Sequence, residues 1–128
     1  MQADSSKDKY APYIAGLVAR ERQHRRDLRE RATQAMTVAR QGADFLRRHY
    51  PVTRVRVFGS LLQPERFHEH SDIDMAVEGL PPKDYLRAWS LLNGGSPELK
   101  HDFEIDLVTP ENCRPAIWNS IEHEGGDL

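Results

Sequence analysis

A single cysteine, Cys113, excludes a disulfide framework and a cysteine-built zinc site. No apolar run approaches the roughly 18–20 residues of a membrane span, and the opening MQADSSKDKY lacks the apolar stretch of a signal peptide. The expectation is a reduced, cytoplasmic protein with no membrane contact. Strong aliphatics are also scarce. Leu, Ile, Val and Phe supply 28 of 128 residues, just above the roughly 20% below which chains tend to stay disordered. The net charge of −2 is too small to hold a chain open by repulsion. These deficits predict one folded domain with a thin core and a polar extension.

The small net charge hides a split. Residues 1–58 carry 13 Lys/Arg against 6 Asp/Glu, net +7, and residues 59–128 carry 5 against 14, net −9. Metal ions, the basic half or a basic partner would each neutralise the acidic half.

Residues 1–9 read as frayed, and Pro12 suits a first helical turn. From there to His49, apolar residues from Ile14 to Leu46 recur at three- and four-residue steps. The charged stretch ARERQHRRDLRER interrupts that stripe. One unbroken helix of this length would run about 55 Å, longer than such a domain is wide. Either it breaks near residues 21–27, or its first half projects and meets something else. The division is therefore an extension over 1–32 and a domain over 33–128. Pro51 ends the helix, and strands are expected at 53–58, 72–77 and 101–108. KDYLRAWSLL (83–92) and ENCRPAIWNSIEHE (111–124) read as helices, the second with Ile117, Trp118 and Ile121 inward. The class is α/β (α+β), with a small mixed sheet of three or four strands flanked by helices.

Two carboxylates carry the first chemical signal. On a strand, Asp72 and Asp74 project to one face while Ile73, Met75 and Val77 serve the core. Carboxylates that close resist joint ionisation unless a cation lies between them, and such hard oxygen donors suit Mg²⁺ or Mn²⁺. Asp102, Glu104 and Asp106 repeat the alternation on the third strand. If the two strands are neighbours, one of these completes a three-carboxylate cluster. The second signal is Gly59-Ser60 at a strand end. There the glycine lets backbone approach a ligand, and the serine offers its hydroxyl beside free N–H groups, a combination that binds phosphate. Taken singly, Asp-x-Asp is more often a solvated strand end, and Ser60 more often a plain cap.

Gly59-Ser60, eleven residues, then Asp72-Ile73-Asp74, with Asp106 on a further strand, resembles the DNA polymerase β-type nucleotidyltransferases. VFGSLLQ, SDIDMAVEGLPPKDYLRAW, IDLV and IWNSIEHEG are similar to the minimal nucleotidyltransferases, the small antitoxin partners of HEPN-domain toxins. The resemblance implies a polymerase β-like nucleotidyltransferase fold. It implies that Gly59 and Ser60 hold nucleotide phosphates. Asp72 and Asp74 would bind two Mg²⁺ ions, with Asp106 a ligand of one and a base toward the incoming hydroxyl. Many members follow Gly-Ser with Arg and Gly. Here those places read Leu61, Leu62 and Gln63, and Arg66 from the loop is the candidate substitute.

The implied activity is transfer of AMP from ATP to a tyrosine hydroxyl of a HEPN ribonuclease toxin. A binding-only antitoxin is the main rival. A small-molecule nucleotidyltransferase of the antibiotic-modifying kind is another, though those carry a second domain for the acceptor. Remaining features read more plainly. His68, His70 and His101 read as exposed histidines before a zinc set. Arg56 reads as the partner of an acid on a neighbouring strand, and Lys83 as a surface lysine. Trp89 and Trp118 read as core anchors. The arginines of 20–31 alternate with Glu21, Asp27 and Glu30 at helical spacing, which favours a solvated or partner-facing helix over nucleic-acid binding. Ile14, Leu17 and Val18 make a homo-oligomer or toxin contact through the extension the simplest expectation.

Overall fold

The computed structural model describes residues 5–128, with side chains from residue 9. Helix α1 spans Ser5–His49 without a break, 45 residues or about 68 Å. Both expectations for its start fail within the described residues. It begins at Ser5, and Pro12 lies inside it; residues 1–4 of the expected frayed segment lie outside the description. Pro12 removes one backbone donor, which a helix this long sustains. The charged stretch does not break the helix either. Arg, Glu and Gln are good helix formers, and Glu21 pairs with Arg25 at 3.2 Å while Gln23 bonds Asp27 at 2.8 Å. Burial begins only at Ala32 and continues at Ala35, Ala39, Ala43 and Leu46. This three-to-four-residue step lays a mostly alanine face close against the sheet. Among the described residues no helix is long and apolar enough to cross a membrane.

Strands β1 (Arg54–Phe58), β2 (Ile73–Glu78), β3 (Ile105–Val108) and β4 (Gly126–Asp127) form one sheet in the order β3-β2-β1-β4. β1 runs antiparallel to β2 and β4, and β2 runs parallel to β3. The register aligns Val57, Met75 and Leu107 in one cross-strand row. With Val55, Val77, Ile73 and Ile105 these side chains face α1 and build the core. The neighbouring rows, Phe58–Asp74–Asp106 and Arg56–Ala76–Val108, therefore face the other way. Helix α2 (Tyr85–Ser90) closes the core with Ala88. Helix α3 (Pro115–Glu124) places Ile121 in the interior, 3% exposed.

Several expected elements are shorter. The third strand covers Ile105–Val108, not 101–108. His101 takes the Phe103 N–H on Nδ1 at 3.1 Å and lies 2.8 Å from the Leu92 carbonyl through Nε2. Asp102 pairs with Arg31 at 3.5 Å. The His101 ring thus occupies one backbone N–H that a longer ladder would need. The helix over 83–92 resolves into a 3₁₀ turn, α2 and a π turn at Leu91–Gly95. Asn93 ends it by bonding both backbone groups of Ile105, at 2.7 and 3.0 Å. The last helix starts at Pro115 rather than 111, because the residue before a proline prefers extended backbone. Ile117 is 47% exposed and Trp89 41% exposed, so neither is a core anchor. β4 has no counterpart among the expected strands.

Arg56 is the one fully buried cation among the described residues, 1% exposed. Its Nη2 bonds Glu78 on β2 at 3.0 Å, and the guanidinium lies 5.5 Å from the Trp118 ring centre. The expected pairing with a neighbouring strand's acid is thus observed, and the same side chain fastens α3 to the sheet. Removing one partner of such a pair leaves the other charge poorly compensated. Arg56→Ala should cost about 3 kcal/mol in urea denaturation. Arg54→Ala, which removes only the exposed pair to Asp127, should change the midpoint far less. Equal losses in the two variants would rule out a clamp at Arg56.

Candidate active site

β1 ends at Phe58, and Gly59 turns the chain with a positive φ of 75°. This conformation suits glycine, and the position is closed to a side chain for a second reason. A methyl group here would run into Oδ2 of Asp74. The Gly59 backbone therefore lies directly against that carboxylate. Ser60 follows in a 3₁₀ turn over Gly59–Leu62, closed by Gln63 N–H donating to the Ser60 carbonyl at 3.0 Å.

The acids converge from two strands. Ser71 is buried and staples the loop before β2, its Oγ accepting the His68 N–H at 2.9 Å and its own N–H donating to the His68 carbonyl at 3.0 Å. Asp72 stands exposed just beyond this staple. Asp74 is partly buried, with Phe58 opposite on β1 and Asp106 opposite on β3. Parallel neighbours lie roughly 4.8 Å apart, so Asp74 and Asp106 share one edge of one face. Burial, then the charges of Asp106 and Asp72, push the Asp74 carboxyl up to about 6. Of the candidate acids on the third strand, Asp106 faces Asp74, while Asp102 is turned away to Arg31.

Among the described residues no group of three or more His, Cys, Asp or Glu side chains is placed to hold a metal ion. The donor types nonetheless suit a hard divalent cation: three carboxylates, one of them with its carboxyl pushed up first by burial and then by the charges of the other two. The histidines do not join them. His68 and His70 are exposed, and His101 is occupied by backbone.

Beside Gly59 and Ser60 opens a cleft of about 910 Å³ between this turn and α3. Arg66, Phe58, Ile117, Ser120 and Glu124 line it among others. Arg66 thus stands on the same cleft as Gly59 and Ser60. The α3 wall escaped the sequence reading, because Ile117 and Ile121 at helical spacing look like core positions. The excess exposure of Ile117 is explained by its place on the cleft. Leu61, directly after Ser60, is 3% exposed and packs into the core.

Residues 39–125 match the family model of the nucleotidyltransferase domain, and the chain belongs to that family. Its fold, a four-stranded mixed sheet with a long N-terminal helix, is a nucleotidyltransferase fold. Among solved structures it is similar to one described as the crystal structure of a toxin-antitoxin with AMP-PNP. That likeness covers 70% of each chain at 22% identity with a TM-score of 0.56. No curated protein matches the chain.

The raised Asp74 carboxyl gives a pH signature. Between the ordinary value of 3.8 and about 6, the folded chain holds a proton that the unfolded chain releases. Stability contributed by this group is therefore lost as pH rises through that window. Asp74→Asn, which cannot ionise, should melt above the wild type near neutral pH, and the gap should close as pH falls below the window. A gap independent of pH would show that the carboxyl titrates normally.

Proposed function

We propose that the protein is a Mg²⁺-dependent nucleotidyltransferase that moves AMP from ATP to a tyrosine hydroxyl of a HEPN ribonuclease toxin, and so acts as the antitoxin of a pair. The carrying observation is the alignment of Asp74 with Asp106 on adjacent strands, with the Gly59 backbone packed against the Asp74 carboxylate. Membership of the nucleotidyltransferase domain family supports the reaction class. The likeness to a toxin-antitoxin structure with AMP-PNP supports the toxin partner and the adenine nucleotide.

In this reading the acceptor oxygen attacks the α-phosphorus of ATP, the bond to the β-phosphate bridge breaks, and pyrophosphate leaves. Asp72, Asp74 and Asp106 would hold two Mg²⁺ ions, with Mn²⁺ an alternative. When bound, these supply charge to the leaving pyrophosphate and acidify the attacking hydroxyl. Asp106 would take the hydroxyl proton. Gly59 and Ser60 offer the phosphates a turn free of side-chain bulk, and Arg66 adds a cation at the same cleft. In this reading the protein contributes mainly position and charge.

One observation favours a second reading. With Leu61 buried, the cation many relatives carry after Gly-Ser is missing, and a binding-only antitoxin would not need it. Labelled ATP with Mg²⁺ and the partner toxin separates the two. Label should move to the toxin with release of pyrophosphate. Asp72→Asn, Asp74→Asn and Asp106→Asn should each lower transfer on the order of 100-fold, and Ser60→Ala less, since its backbone N–H remains. Toxin neutralisation that survives loss of all three acids would make the binding-only reading correct. Independently, Mg²⁺ should raise the melting temperature of the wild type, further with ATP, and leave Asp72→Asn/Asp74→Asn unmoved.

A further inference from the structure

The two walls of the cleft beside Gly59 differ in charge. The turn wall brings the Ser60 hydroxyl and the Arg66 guanidinium. The α3 wall is mostly apolar, with Ala116, Ile117 and Ile121, but it also carries Ser120 and Glu124. These two stand four residues apart, one turn along the same helix face. Their polar neighbours on α3 are engaged within the helix. Trp118 Nε1 donates to Glu122 at 3.2 Å, and His123 Nδ1 lies 2.7 Å from the Asn119 carbonyl. Ser120 and Glu124 are exposed, and among the described residues neither side chain is hydrogen-bonded or ion-paired. An otherwise apolar wall thus presents two free polar groups side by side.

The path of α3 places them relative to the acids. It follows β3 and leads into β4, so it crosses the sheet from the strand of Asp106 to the edge beside β1. Its exit lies against the turn. Gly126 pairs with Val57, and a methyl group on Gly126 would come within 3.0 Å of Leu62 Cδ2. Glu124, two residues earlier, therefore stands toward the β4 end of the cleft. Gly59, at its other side, abuts Asp74 on β2. Two strand spacings, about 10 Å, separate β2 from β4, a gap that one phosphate and its sugar bridge.

We infer that Ser120 and Glu124 form a ribose subsite, holding the 2′ and 3′ hydroxyls of the nucleotide, so that the protein selects ribonucleotides over deoxyribonucleotides. This rests on the nucleotidyltransferase reading and adds the sugar to it. Charge sets the orientation. A carboxylate repels a triphosphate, so the phosphates take the turn wall, with its N–H groups and Arg66, and the α3 wall takes the uncharged part of the ligand. Hydrogen bonding decides which part. A carboxylate only accepts, and the ribose diol offers two donors side by side. An acidic side chain serves ribose in this way in dinucleotide-binding folds. Adenine instead sets ring-nitrogen acceptors beside its amino group, and these would face the carboxylate lone pair to lone pair. Ile117, 47% exposed, leaves an apolar surface for the face of the base.

Calorimetric titration of the full chain in Mg²⁺ tests this with ATP, 2′-deoxyATP and 3′-deoxyATP. The wild type should bind each deoxy form about 10-fold more weakly than ATP. Glu124→Leu should bind all three alike, at the strength the wild type shows for a deoxy form, and Ser120→Ala should narrow the gap. Both positions are exposed, so neither change should move the melting temperature. A wild type that binds the three nucleotides equally overturns the ribose subsite and leaves the transfer reading standing. Tighter binding of all three by Glu124→Leu overturns it too, by placing the carboxylate beside the phosphates. If Glu124→Leu keeps the deoxy penalty but loses a preference between ATP and GTP, Glu124 reads the base, and the inference falls. A wild type that binds no ribonucleoside triphosphate overturns both the subsite and the transfer reading.

Discussion

The period of two along β2 governs the molecule. Ile73, Met75 and Val77 enter the core against α1, and this obliges Asp74, Ala76 and Glu78 to face the other way. A one-residue slip would bury the carboxylates and expose the aliphatics, so the core holds the acid in register. Two charged groups then depend on the same strand. Asp74 meets Asp106 and Gly59 at one end, and Glu78 meets Arg56 near the other. Arg56 in turn anchors α3 through Trp118, and α3 is one wall of the cleft. Packing on one face thus sets the chemistry on the other.

Much of this was legible because it is local. Alternation over 72–77 fixed which side chains share a face, and Gly59-Ser60 at a strand end marked the turn. That Arg56 pairs with an acid on a neighbouring strand was legible as well, though its burial and the identity of Glu78 were not. What escaped is non-local. β4 is two residues long, too short to show a period, and exists because β1 offers an open edge. The third strand begins only at Ile105, with the Phe103 N–H turned to the His101 ring, although the alternation over 101–104 is as clear as in any strand. The cleft wall went unseen because Ile117 has the spacing of a core residue but looks into open space.

The charged stretch of α1 teaches a related point. With no core pattern to support it, the sequence allows either a break near residues 21–27 or a projecting first half, and the helix is unbroken. Helix geometry needs no core when neighbours four apart pair with each other, as Glu21 does with Arg25. The helix therefore outlasts its own hydrophobic stripe. Its inner half lies on the sheet through alanines, and its outer half leaves Tyr10, Tyr13, Ile14, Leu17 and Val18 exposed.

Gly59 and Asp74 are fifteen positions apart in sequence, yet the backbone of one fills the space beside the carboxylate of the other. They form a single unit for mutation. A side chain added at Gly59 must displace the acid, so its effect and that of replacing Asp74 will not add. A family of variants diversified at either position would therefore drift jointly: enlarging the glycine is tolerable only where the acid has already been lost, and restoring the acid first requires the glycine back.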